Sequence, residues 1–246
     1  MFRCSLQVPE FSVSIRDPPE RPQWFKRSLI EKHQADGHTH GFLTLKSQIG
    51  LIVFYDFECT RLHLETTPMS LGLVSYDGSH EFYAEFTDYD SSQLDDWLRE
   101  HILGNFTLSE MKDPYFEDKG NQRLFKGEAE WVVSHPKGLK AWLKSFGEKI
   151  VCASSGNTYD WVLFRSLLGV KYKEDLPEYI DGWSMDVISL FRWEGHIPMG
   201  EDFKEDFIGV QDRSKKHNAL VDAHVARDLY LKLEAGRPHS NGSSTH

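Results

Sequence analysis

The chain is short of several features, and each shortage excludes a class. No apolar run in its 246 residues approaches the roughly 20 needed to span a bilayer, so no membrane helix is expected. The opening "MFRCSLQVPEFSVSIRDPPERP" has no basic start leading into an apolar core, so no signal peptide is expected either. Cysteine is scarce: Cys4, Cys59 and Cys152 cannot all pair, and none stands in a C-x-x-C spacing. That usage fits a reduced, cytoplasmic setting rather than a disulfide framework. Basic charge is also short, 28 Lys and Arg against 38 Asp and Glu, for a formal net charge of −10. A general nucleic-acid coat protein would carry a basic surface. An enzyme that recruits divalent cations to meet a polyanion remains open.

Hydrophobic residues make up 39% of the chain and aromatics 13%, enough for a sizeable core in one domain with an extension. Residues 1–48 carry helix breakers ("DPPERP", "KHQADGHTHG") and little periodicity, so they read as an N-terminal extension. From there to about residue 235 the pattern is that of a folded domain, and 236–246 reads as a flexible tail. "LIVFYDF" predicts a buried central strand. "SLGLVSY" and "HEFYAEF", flanking Asp77 and Gly78, predict a hairpin. "SSQLDDWLREHIL" predicts a helix with Leu94, Trp97, Leu98 and Ile102 on its apolar face. "PKGLKAWLKSFG" predicts a second helix, "KIVCAS" a short buried strand and "NTYDWVLFRSLLG" a helix opening at Asn157. "SMDVISLFRWEG" predicts a short helical piece and "KKHNALVDAHVARDLYLKL" a long final helix. There are no internal repeats. The order predicts an α/β fold with a mixed central sheet flanked by helices.

Three groups of polar residues interrupt these apolar patterns. Asp56 and Glu58 are two apart on the first strand, so both project from one face. Two adjacent carboxylates repel unless a cation lies between them, and oxygen donors on a rigid element suit Mg²⁺ or Mn²⁺. Taken alone, the pair fits a strand end meeting water better than a site. Asp160 stands in the first turn of the helix after "KIVCAS", where the helix dipole favours an acid in any protein. His217 opens the last helix and Asp222 follows five residues later among Leu220, Val221, Ala223 and Val225, apolar company that is costly for an unpaired acid.

Together, D-x-E on the first core strand, an aspartate opening a mid-chain helix and H-x-x-x-x-D on the last helix resemble the DEDDh family of 3′-to-5′ exonucleases, which share the ribonuclease-H-like fold. The resemblance covers about residues 50 to 233 and looks most like the compact bacterial and phage exoribonucleases. The chain departs from the family in carrying Phe57 where many members have threonine, and in the placing of Asn157 before Asp160.

The resemblance implies a ribonuclease-H-like sheet and two divalent ions, Mg²⁺ or Mn²⁺. One would be held by Asp56, Glu58 and Asp222, the other by Asp56 and Asp160, with His217 as the base that deprotonates the attacking water. It implies hydrolysis of single-stranded RNA or DNA from 3′ ends, RNA favoured, to nucleoside 5′-monophosphates, without a membrane and with a homodimer left open. Phe57 and Thr60, with Leu62, would contact the terminal nucleotide, although core packing suits Phe57 equally. Lys216, with Lys215, would contact a phosphate. Asp186 is given no catalytic role. Two other readings compete: a ribonuclease-H-type endonuclease, and a nucleic-acid-binding module with a vestigial site.

Overall fold

A computed structural model describes residues 50–236, which form a mixed seven-stranded sheet with helices on both faces. The expected N-terminal extension (1–48) and the tail, apart from Gly236, lie outside the described residues. The strands are β1 (Leu51–Cys59), β2 (Pro68–Ser75), β3 (Glu81–Phe86), β4 (Tyr115–Asp118), β5 (Gln122–Gly127), β6 (Ile150–Ser154) and β7 (Met185–Asp186). Their order across the sheet is β4-β5-β3-β2-β1-β6-β7. β1, β2 and β3 form an antiparallel meander, whereas β6 lies parallel to β1 and β7 parallel to β6. The α/β class with a mixed sheet is therefore as expected. No helix among the described residues is long and apolar enough to cross a membrane.

The alternation of β1 builds both cores. Val53, Tyr55 and Phe57 point to one face and pack with Leu71, Phe82, Trp142 and Phe164. That layer includes the helices α2 (Ala129–Ser134), α3 (Leu139–Lys144) and α4 (Asn157–Leu167). Ile52 and Phe54 point to the other face and meet Val187 and Phe191 of α5 (Val187–Trp193). They also meet Ala223, Ala226, Leu229 and Tyr230 of α7 (Ala219–Gly236). Asp56 and Glu58 continue the Ile52–Phe54 face, so they come up beneath the start of α7. The β1–β2 register shifts between Glu58 and Cys59, an irregularity of the kind that re-aims a side chain beside a site.

The approach of α7 depends on Gly72, the partner of Asp56 across β1 and β2. A Cβ at this position would lie 2.3 Å from the Ala219 carbonyl and the Leu220 Cα, so the helix start rests directly on the strand backbone. Asn218 fixes that start, its Oδ1 accepting from the N–H groups of Leu220 and Val221 as a capping side chain does.

One expectation needs correction, and some elements go beyond those expected. The helix predicted over "SSQLDDWLREHIL" is broken into a 3₁₀ turn, α1 (Asp96–His101) and a second 3₁₀ turn, because Asp95 caps α1 through the Leu98 N–H at 2.8 Å. Its register then buries Leu98 and Ile102 and leaves Trp97 47% exposed. The β4–β5 hairpin was not anticipated; its outer strand, "YFED", is short, charged and only partly buried, so it carries no clean alternation. Nor was α6 (Phe203–Ile208), a single short helix that begins within the charged stretch "EDFKED".

Substituting Gly72→Ala is expected to lower the urea midpoint by the equivalent of about 2 kcal/mol, since both atoms it would strike are backbone and cannot rotate away. A midpoint equal to wild type would mean that α7 lifts from the sheet at little cost.

Candidate metal and proton-transfer site

The parallel strands β1 and β6 end at the same side of the sheet, and the chain leaves β6 there into α4. Gly156, at φ 113°, makes the turn, and Asn157 anchors the start of α4 by accepting from the Tyr55 hydroxyl at 3.1 Å. Asp160 follows one turn later, close to Ser154, whose hydroxyl donates to Asn157 Oδ1 at 3.4 Å and favours the ionised form of Asp160. Asp222 lies one turn into α7, on the face that also carries Ala219, Ala223 and Ala226. Small residues there let the helix sit low enough to bring Asp222 to Glu58.

His217 and Asp222 are linked through the backbone. The His217 N–H donates to Asp222 Oδ2 at 3.0 Å, spanning the capping residue between them, which gives the H-x-x-x-x-D spacing a structural meaning. His217 holds φ at 65°, a left-handed conformation uncommon for a residue with a Cβ, and such outliers gather at functional sites. Its ring meets the edge of Trp97, with centroids 5.2 Å apart, and Trp97 stacks in turn on His101. Glu58, His217 and Asp222 each offer one ligand atom, all within 4.8 Å of one another.

The electrostatics are those of buried acids crowded together with too little opposing charge to keep them at their usual pKa. Burial pushes the Asp56 carboxyl well above the usual range, and Asp160, Asp222 and Glu58 push it further. Glu58 is raised well up by burial and then by Asp222 and Asp160. Burial raises Asp160 to about 7, against the Ser154 hydrogen bond, and burial also raises Asp222. His217 moves the other way: burial lowers its pKa more than Asp222 raises it, so the ring is neutral at pH 7 and able to accept a proton.

Asp56, Glu58, Asp160, His217 and Asp222 thus come together from three distant stretches of chain. The other expected site residues are placed differently. Phe57 is 6% exposed and packs against Tyr55 and Phe164, on the opposite face from the acids, so its role here is in the core. Thr60 is fully buried, donating to Gln93 Oε1 at 2.6 Å, which holds the loop after β1 rather than facing the acids. Lys216 is tied to Asp202 Oδ1 at 2.5 Å and to the Glu201 carbonyl. Leu62 is 71% exposed on the loop after β1, beside Tyr159, which donates to its carbonyl. Asp186 caps α5 through the Ile188 N–H, accepts from the Ser189 hydroxyl, and adds to the rise in the Asp160 pKa.

Sequence reasoning missed Lys204. Its ammonium opposes the rise in pKa of all four acids. It lines an open cleft of about 500 Å³ with Trp97, Ser155, Arg192, Lys216 and His217. In the sequence it is one lysine among acids, indistinguishable from a solvated helix face.

No protein-family model and no curated protein matches the chain. Among solved structures it is similar to the Neurospora crassa Pan2 catalytic unit (protease and nuclease domain), with 16% identity and a TM-score of 0.44. The similarity covers 75% of this chain and 27% of that one, so the chain spans about a quarter of that structure's length.

The raised acids set a pH dependence. An acid whose folded pKa lies above its unfolded value of 3.8 costs stability once pH exceeds 3.8, and the cost grows until pH passes the folded value of about 7. In metal-free protein, Asp160→Asn is therefore expected to raise the melting temperature above pH 7 and to leave it nearly unchanged near pH 4. Equal shifts at both pH values would mean that Asp160 ionises freely.

Proposed function

We propose that the chain is a divalent-metal-dependent 3′-to-5′ exonuclease that hydrolyses single-stranded nucleic acid, RNA in preference to DNA, to nucleoside 5′-monophosphates. The observation that carries this reading is the convergence of Asp56, Glu58, Asp160 and Asp222 with a neutral His217 at one end of the sheet. A structural ion-pair network would bring cations into direct contact, whereas here four raised acids are opposed by Lys204 across a gap, and Asp222 also by Lys216 and His217.

The donor set fits hard divalent cations: carboxylate oxygens on one strand and two helices, held in a form that a bound cation would stabilise. Asp56, Glu58 and Asp222 would hold one ion and Asp56 with Asp160 a second, Mg²⁺ or Mn²⁺. Such a pair supplies Lewis acidity to both the attacking and the leaving oxygen of an in-line displacement.

The remaining work falls to the chain. His217, neutral at pH 7, takes the proton from the attacking water, and it stands close enough to Glu58 and Asp222 to act where they converge. Asp222 fixes the His217 backbone through the N–H, and Trp97 limits the ring from the side. Arg213, paired with Asp202 and Asp206, and Lys216, paired with Asp202, tie the turn that carries His217 to α6, so the base is held rather than left on a loose loop. Positioning of this kind converts a neutral imidazole into an efficient base.

Digestion of 5′-labelled single-stranded RNA and DNA of matched sequence, with Mg²⁺ or Mn²⁺, tests the reading. A ladder receding from the 3′ end is expected, stronger on RNA. Asp56→Ala and Asp222→Ala should abolish it in folded protein, and His217→Ala should slow it by about 10²–10⁴-fold. Cleavage of a circular substrate would instead make the protein an endonuclease, and near-native activity in either aspartate variant would refute the metal assignment.

A further inference from the structure

We propose that Lys204 is the phosphate-binding residue of this site, its ammonium holding a non-bridging oxygen of the scissile phosphodiester opposite the acids; the inference rests on the nuclease reading above. Lys204 stands in the first turn of α6, within a stretch containing Glu201, Asp202, Glu205 and Asp206. It pairs with none of them among the described contacts. Asp202 is taken by Arg213 and Lys216, and Asp206 by Arg213. Both aspartates are thus occupied, and the Lys204 ammonium donates to Ser155 Oγ at 3.1 Å, a residue that lines the cleft with it.

Its distance from the site acids is informative. Lys204 is near enough to oppose the pKa rise of Asp56, Glu58, Asp160 and Asp222, yet among the described residues it makes no ion pair, which would need 4.0 Å or less, with any of them. A lysine serving only as counter-ion would close on one carboxylate, because direct contact is where the attraction is largest. Lys204 faces the group across a gap instead, held by a serine hydroxyl at the end of β6.

Charge counting indicates what fills that gap. Four ionised carboxylates and two divalent ions cancel, so the loaded site is neutral without Lys204. A phosphodiester then adds one negative charge, and the ammonium across the gap balances it. A lysine is suited to this as a mobile point charge with three donors. Lys216, the sequence-level candidate for the same task, is already engaged by Asp202.

The test is binding of adenosine 5′-monophosphate at saturating Ca²⁺, followed by calorimetry, in wild type, Lys204→Met and Lys204→Arg. Methionine keeps the stem and removes the charge; melting curves and circular dichroism confirm that each variant is folded. Lys204→Met is expected to weaken nucleotide binding by about 10-fold, and Lys204→Arg to retain most of it. On RNA, Lys204→Met is expected to raise KM or lower kcat by a similar factor. Unchanged nucleotide affinity in Lys204→Met, with wild type still degrading RNA, would overturn this assignment alone and leave Lys204 a counter-ion. A wild-type protein that neither binds the nucleotide nor degrades RNA would overturn the nuclease reading as well.

Discussion

Mutual repulsion among Asp56, Glu58, Asp160 and Asp222 is the constraint around which this structure is arranged. Each is pushed toward its neutral form by burial, and Asp56 and Glu58 are pushed further by their neighbours. Left to themselves, such groups would move apart into water. They are kept together by a sheet whose two central parallel strands end side by side, and by a helix whose start is pressed onto Gly72. Core packing of Ile52, Phe54, Ala223, Ala226, Leu229 and Tyr230 behind the acids supplies the stability that offsets this cost. The hydrophobic core and the site are thus two ends of one β1–α7 contact.

The same contact couples His217 to the acids. Because His217 precedes the cap of α7 and Asp222 lies in its first turn, one helix start fixes both. The strained backbone of His217 is held by three neighbours: the Asp222 carboxylate, the capped Asn218 and a turn braced from α6 through Arg213 and Lys216. A shift of α7 along the sheet would move Asp222 and His217 together, which preserves their mutual geometry while changing their distance from Asp56 and Glu58.

How much of this was legible in the sequence follows from how far each signal reaches along the chain. The Asp56–Glu58 pair could be placed on one face because strand alternation is local, and Asp160 and Asp222 because helix starts have local cues. What local patterns cannot express is which face meets which partner. Phe57 lies between two acids in sequence, yet alternation turns it into the opposite core. Trp97 fits an apolar helix stripe until Asp95 resets the register and leaves its ring beside His217. Lys216 adjoins His217 in sequence, but its ammonium follows Asp202. Lys204, thirteen positions before His217, reaches the site only because α6 packs on α7, a contact for which the sequence carries no periodic signal.

These placements bear on how a chain of net charge −10 meets a polyanion. On the proposed reading, its overall field opposes the substrate, so attraction must be local and conditional. Bound cations would cancel the four carboxylates, and only then would the positive charge of Lys204 stand unopposed in the cleft. Without metal the ammonium would serve the acids, and with metal bound it would be free to meet the phosphate. Substrate affinity would then depend on metal occupancy through charge alone, with no movement of the backbone required. On that reading, the folding problem of crowding four acids and the binding problem of an acidic protein facing a polyanion would share one solution, the cations that the carboxylates would hold.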